Sequence, residues 1–91
     1  MPTIYKYPVP IQGDIAYATM PKYAKILCVQ MQNDVPTIWA LHTDHLEPDY
    51  ETRKFRIVGT GHQISDDFET KSAYIGTVQD GSLVWHIFEV V

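Results

Sequence analysis

Arg56, Thr60 and His62 stand close together in Phe55-Arg56-Ile57-Val58-Gly59-Thr60-Gly61-His62. An arginine offers a planar fork of donors that matches phosphate. Thr60 and His62 add side-chain donors, and Gly59 and Gly61 let the backbone turn its N–H groups toward an anion. The chemistry implied is the binding of a small anion at a strand end. No Gly-Lys-Ser/Thr follows, and no helix follows whose N-terminus could hold a phosphate, so the segment is not a P-loop. A glycine-rich strand exit with a surface histidine explains the same residues more simply, and spacing alone favours it.

Other reactive side chains are less suggestive. His42-Thr43-Asp44-His45 holds two imidazoles and a carboxylate. Zinc takes three or four ligands fixed by distant elements. His62 or His86 could supply another, but nothing demands it, and a polar strand end entering an acidic loop is the better reading. No metal site and no cofactor are expected. His86, among Ile75, Val84 and Phe88, reads as a satisfied core or interface residue rather than a catalyst. Trp39 and Trp85 could stack on bases, but beside Leu41, Leu83 and Ile87 they read first as core. Ser65, Ser72 and Ser82 stand in turns without a neighbouring histidine, and nucleophilic hydrolysis needs an oriented base. An enzyme is not expected.

The elements that must position these residues are strands. Helix signals are nearly absent, and short alternating runs recur between Pro, Gly, Asn and Asp. Thr3 to Val9 reads as a strand with Ile4 and Lys6 facing one way and Tyr5, Tyr7 and Val9 the other. Asp14 to Met20 reads as strand because Ile15, Tyr17 and Thr19 alternate. Pro21-Lys22-Tyr23-Ala24 is a turn. Lys25 to Gln32 follows, with Leu27, Val29 and Met31 on one face. After a turn through Gln32-Asn33-Asp34-Val35-Pro36, Thr37 to Thr43 returns with Ile38, Ala40 and His42 against Trp39 and Leu41. Asp44 to Thr52 is a polar loop. Arg53 to Thr60 is the next strand, Phe55 and Ile57 opposing Arg56 and Val58. Ser65 to Lys71 holds one helical turn, with Asp66 and Glu69 at capping-box spacing.

Ala73 to Gln79 and Ser82 to Val90 form a hairpin about Asp80-Gly81, a dipeptide that favours a type I′ turn. That register sets Gln79 against Ser82, Val78 against Leu83 and Trp85 over Gly76. One hairpin face then holds Tyr74, Val78, Leu83, Trp85 and Ile87. The other holds Ala73, Ile75, Thr77, Val84, His86 and Phe88. Both faces are largely apolar, whereas a sheet with one wet face should alternate with polar residues. A second sheet, a loop or a second subunit must cover the far side, and a homo-oligomer is expected. The fold expected is a single all-β domain over residues 1–91, a small antiparallel sheet or compact β-sandwich or barrel of five or six strands.

Composition sets the bounds. Ninety-one residues with 45% hydrophobic content can build one core. The net charge is −4. An acidic chain without a basic run is a poor match for duplex nucleic acid, but a small phosphate ligand needs only one or two donors. No apolar run reaches membrane-helix length, and the N-terminus lacks a signal-peptide pattern. The single cysteine, Cys28, excludes an internal disulfide and reads as a small buried hydrophobe, and the cytoplasm is the compartment expected.

Pro21-Lys22-Tyr23-Ala24-Lys25-Ile26-Leu27, Val29 to Gln32, Ile38 to Leu41, Phe55 to His62, Tyr74 to Thr77 and Val84 to Glu89 together resemble a family of small phage and prophage proteins of similar length. The likeness covers nearly the whole chain. Gly-Thr-Gly-His and the C-terminal Trp-His-x-Phe-Glu are its most specific parts, and that family carries a glycine at the position of Tyr23. In size and β-rich oligomeric character it is similar to phage sponge proteins of the anti-CBASS type. Those bind cyclic nucleotide immune signals of the bacterial host and sequester them uncleaved. The resemblance implies a CBASS- or Thoeris-like cyclic nucleotide ligand. It implies phosphate contacts from Arg56, Thr60, Gly61 and His62, and base stacking on Trp39 or Tyr74. It further implies a dimer or tetramer in the host cytoplasm with ligand at the subunit boundaries. From a different class, a phage module that binds a host or virion protein through a sheet edge or apolar patch is the alternative. A metal- or histidine-dependent phosphodiesterase ranks third.

Overall fold

Strand follows strand here because apolar residues alternate and the breaks between runs hold residues suited to tight turns. The computed structural model describes residues 2–43 and 49–91. Its elements are β1 (Thr3–Pro8), β2 (Ile15–Pro21), β3 (Lys25–Gln32), β4 (Val35–His42), β5 (Tyr50–Gly59), α1 (Phe68–Lys71), β6 (Ser72–Asp80) and β7 (Leu83–Val90). They form two antiparallel sheets, one ordered β1-β4-β3 and the other β2-β5-β7-β6. The fold is all-β, as expected, with more strands than the five or six anticipated. Both Asp14 to Met20 and the C-terminal hairpin are strands.

The core lies between the sheets. Ala16, Ala18 and Met20 of β2, Phe55 and Ile57 of β5, Val78 of β6 and Ile87 of β7 meet Val29 of β3 and Ile38 and Ala40 of β4. In β2 the small residues point inward and Ile15, Tyr17 and Thr19 point out. Ala16 lies opposite Phe55 and Ala18 opposite Arg53, so two methyl groups leave room for two long side chains. The expected faces of β1, β4 and β5 hold: Tyr5 and Tyr7 pair with Ala40 and Ile38, and Phe55 and Ile57 are buried while Arg56 and Val58 are not.

Turns explain most boundaries. The Ala24 amide donates to the Pro21 carbonyl at 3.1 Å, and Tyr23 takes φ 67°. That is the left-handed corner of a type II turn, where glycine is the usual residue. Asn33 and Asp34 both have positive φ, 51° and 64°, the pattern of a two-residue I′ hairpin. The β3–β4 turn is therefore shorter than expected, and β4 starts at Val35. Pro36 is accommodated inside β4 because β1 ends opposite Thr37, so Pro36 owes no ladder donor on that side. Similarly, β5 begins at Tyr50 instead of Arg53. Tyr50 to Thr52 of the expected polar loop are therefore strand, and its Asp44 to Pro48 lie outside the described residues.

Bulges change the faces of Leu27, Tyr74 and Ile75, while the assignments of Val29, Met31, Val78, Trp85 and Ile87 hold. β3 is irregular between Ile26 and Cys28. Ile26, Val29 and Met31 pack toward the core, while Leu27 is exposed. β6 is irregular between Tyr74 and Gly76, which turns Tyr74 to the outer face beside Phe88 and lets Ile75 pack on the core. The hairpin also turns one residue later than expected. Asp80 pairs with Leu83, Val78 with Trp85 and Gly76 with Ile87. Gly81 has φ 61° and Ser82 does not share its sign, which matches a II′ turn with glycine at the first corner. Trp85 consequently faces Gly59 of β5 and not Gly76. The capping box at Asp66 and Glu69 does not form. Asp67 is the N-cap of α1 without a side-chain cap; it instead accepts from Ser65 at 2.9 Å and pairs with Lys71 at 2.7 Å.

Two contacts join the layers. A Cβ at Gly76 would lie 2.9 Å from Cγ1 of Val29, so β3 and β6 approach across the space of a missing side chain. Arg53 enters the other end of the core. It grips Glu89 through Nε at 2.5 Å and Nη2 at 2.8 Å, and its Nη1 donates to the Ala24 carbonyl at 2.6 Å. This ties β5 to β7 and to the β2–β3 turn, and the bond to Glu89 raises the Arg53 pKa further above its ordinary value. Gly76→Ala should lower stability by about 1–3 kcal/mol, the usual cost of forcing a methyl group into a packed interior, read as a shift in the urea midpoint. Arg53→Met should cost about 2–3 kcal/mol by stranding a half-buried carboxylate, and adding Glu89→Leu should recover most of it. A double variant no more stable than Arg53→Met would contradict this account.

Candidate ligand-binding face

Because side chains alternate, the outer face of the four-stranded sheet carries Lys54, Arg56 and Val58 from β5, with Thr60 just beyond its end. Register places Arg56, Phe88 and Tyr74 in one row across β5, β7 and β6, and Val58, His86 and Thr77 in the next. Phe68 of α1 meets Phe88 edge-on at 4.7 Å between centroids. Tyr74 meets Phe88 from the other side at 5.4 Å. The Arg56 guanidinium sits 6.0 Å from the Phe68 ring, close enough for a cation–π contact.

A hydrogen-bonded chain runs beside these rings. Thr60 Oγ1 lies 2.7 Å from His86 Nε2, Thr77 Oγ1 lies 2.9 Å from His86 Nδ1, and the Tyr74 hydroxyl lies 2.6 Å from Thr77 Oγ1. Both nitrogens of His86 are thus engaged, as expected for a satisfied histidine.

One recess lies on this face, and another lies beside the inward-facing Gly59 and Trp85. Lys54, Arg56, Lys71, Ser65, Asp67 and Phe68 contribute to a cleft of about 190 Å³. Three cations line it against one carboxylate. Lys71 and Ser65 hold the Asp67 carboxyl below the usual carboxylate range, and Asp67 in turn raises the Lys71 ammonium. The second recess, about 300 Å³, is lined by Gly59, Thr60, His62, Ser82, Leu83, Val84 and Trp85. A side chain at Gly59 would strike the His62 ring, whose nearest atom lies 2.7 Å from the Cβ position. The missing side chain therefore seats the imidazole, edge-to-face with Trp85 at 6.4 Å. The indole Nε1 of Trp85 is buried without a hydrogen-bond partner among the described residues, a donor that water ordinarily satisfies.

The residues singled out from sequence are thus dispersed. Arg56 lies in the cationic cleft. Thr60 and His62 line the neutral recess, and Gly61, at φ 87°, makes the turn between them. In that turn the Thr60 amide donates to Val84 and the His62 amide to Gly59, so those two N–H groups are spent on protein carbonyls. Tyr74 closes the hydroxyl chain. Trp39 pairs with Lys6 and Cys28 on the three-stranded sheet, away from the others. Cys28 is half-buried rather than buried. Lys54, Phe68, Thr77 and His86 were missed as site residues. The alternation Lys54-Arg56-Val58-Thr60 and a lone phenylalanine in a polar connection were the available signals. Among the described residues no three His, Cys, Asp or Glu side chains gather at metal-binding distance, and no helix is long and apolar enough to cross a membrane. His42-Thr43-Asp44-His45 falls partly outside the described residues.

Fold and face together define a small two-sheet β-domain with a cationic, aromatic and hydroxyl-bearing outer surface. The chain belongs to the family described as a domain of unknown function, DUF7352, which matches residues 1–91. No curated protein and no solved structure matches it. Gly59→Ala should expel the His62 ring at a stability cost below about 1 kcal/mol, since only an exposed side chain must move. The check is a change in Trp85 emission, with Trp39→Phe in the background to isolate the signal; an unchanged spectrum would show that His62 does not rest on Gly59.

Proposed function

We propose that this domain is a non-enzymatic binding protein that sequesters a cyclic nucleotide on the outer face of its four-stranded sheet. The observation that carries the reading is the row Arg56–Phe88–Tyr74, which sets a cationic cleft against exposed aromatic and hydroxyl groups. A phosphate fits Arg56 and Lys54, and a base stacks on Tyr74 or meets the hydroxyls toward Thr60 and His62. At about 190 Å³ the cleft is smaller than the roughly 300 Å³ of the smaller ligand pockets. It takes a phosphate, and the rest of the ligand lies across the sheet. Sequestration needs abundance and affinity but no activated group, which suits a phage-encoded sponge working in the host cytoplasm. A second copy of the chain would cover the exposed Tyr74 side chain and the ligand with it. A second reading, a module that docks a host or virion protein, draws on Ile4, Tyr5 and Tyr17, exposed on the edge strands β1 and β2.

A panel of cyclic dinucleotides and cyclic ADP-ribose isomers tests the proposal by thermal shift, followed by recovery of the bound compound after denaturation. Stabilisation with the compound returned intact supports it. Altered compound indicates an enzyme, and no shift with any nucleotide, together with a co-purifying host protein, indicates the docking module. Arg56→Ala should weaken binding about ten- to hundredfold, the worth of charged hydrogen bonds to one phosphate. His62→Ala should weaken it less, and Trp39→Ala should leave it unchanged. Equal affinity for Arg56→Ala and the parent chain would remove this face from consideration.

A further inference from the structure

We infer that His86 is a polarity switch for this face, deciding which end of the Thr60–His86–Thr77–Tyr74 chain carries its spare hydrogen-bond donor. The inference follows from counting hydrogens over the three short contacts at 2.7, 2.9 and 2.6 Å. Three hydroxyls bring three hydrogens and a neutral imidazole brings one. Three links consume three, so one remains.

Its position depends on the tautomer. With the hydrogen on Nε2, the ring donates to Thr60, and the Thr60 hydroxyl is free to donate outward. Nδ1 must then accept from Thr77, and Thr77 must accept from Tyr74. Both of those hydrogens are committed. With the hydrogen on Nδ1, the ring donates to Thr77 and Nε2 accepts from Thr60. The Thr60 hydrogen is committed, and one hydrogen on the Thr77–Tyr74 side is released. The two ends therefore cannot both donate while the ring is neutral.

The ends serve different surroundings. Thr60 lines the recess with His62 and Trp85. The Tyr74 hydroxyl stands on the outer face beside Thr77, with its ring against Phe88. An acceptor atom bound at Thr60 selects the Nε2–H form and turns Tyr74 into an acceptor. The face then suits a ligand with an acceptor at one end and a donor at the other, and discriminates against acceptors at both. That consequence rests on the proposed function, whereas the switch itself is a property of the free protein.

Histidine side-chain ¹⁵N–¹H spectra of the ligand-free protein, recorded well above the ordinary imidazole titration range, test the switch directly. Thr60→Asp presents only acceptors and should bring His86 to the Nε2–H form. Thr60→Lys presents only donors and should bring it to Nδ1–H. Thr60→Ser should keep the parent pattern. The ¹³Cζ resonance of Tyr74 should differ between the Asp and Lys variants, and Thr77→Val should abolish that difference by cutting the chain. Thr60 is solvent-exposed, so these variants retain the fold, confirmed by amide dispersion. The same tautomer in both variants, or a Tyr74 difference that survives Thr77→Val, would overturn the inference. Either result can occur whether or not a cyclic nucleotide binds, so failure of the switch and failure of the proposed function are separable.

Discussion

The approach of Val29 to Gly76 is the contact on which the arrangement of the sheets depends. Two twisted sheets can share a core only where their backbones come close enough for side chains to interdigitate. Here the four-stranded sheet presents a position without a Cβ, and the valine of the other sheet fills it. Gly76 and Val78, two residues apart, face inward together by alternation, and β6 is irregular just before them, between Tyr74 and Gly76. That bulge carries Tyr74 to the outer surface, within reach of Thr77 and Phe88. The irregularity thus separates the interior contact at Gly76 from the hydroxyl chain that Tyr74 joins outside.

The opposite end of the core is closed by polarity instead of shape. Arg53 occupies an inward position that the alternation of β5 reserves for apolar residues. Its side chain lies across the methyl group of Ala18, and its fork is filled by both oxygens of Glu89 and the Ala24 carbonyl. An unpaired charge there would be costly. With all three of its nitrogens engaged, the guanidinium acts as a fixed joint between two strands and a turn. Arg56, three residues on, points the other way and has no such hydrogen-bond partners among the described residues. One arginine is structural and the other available because strand side chains alternate.

The outer face combines three features that separately would mean little. A cationic cleft on an acidic chain concentrates anion affinity in one place. Aromatic edges beside it offer stacking area, and the histidine-centred chain gives the surface directional hydrogen bonding. Their shared location on one sheet supports a ligand with both a charged and a planar part. Membership of the DUF7352 family places the chain among domains whose activity is still to be assigned, so the chemistry of this face carries the functional reading.

Much of the secondary structure was legible because it rests on local rules. The alternation in Tyr5-Lys6-Tyr7, Ile38-Trp39-Ala40 and Phe55-Arg56-Ile57 set the faces of three strands, and Pro21-Lys22-Tyr23-Ala24 marked its turn. Leu27 and Tyr74 were misplaced because a bulge costs little locally yet reverses the faces beyond it. Trp85 kept its face and changed only its partner, because the turn moved by one residue and the pairing moved with it. Which register wins is decided by partners distant in sequence, such as Val29 for Gly76 and Gly59 for Trp85. The site residues divide along the same line. Composition and period-two alternation determined an all-β chain and an outward row of Lys54, Arg56, Val58 and Thr60. Only the tertiary structure decided that His62 turns into a separate recess, that Trp39 belongs to the other sheet, and that His86 joins Thr60 to Tyr74. Alternation is a property of a single strand, whereas the company a side chain keeps depends on which strands pair and where their ladders slip.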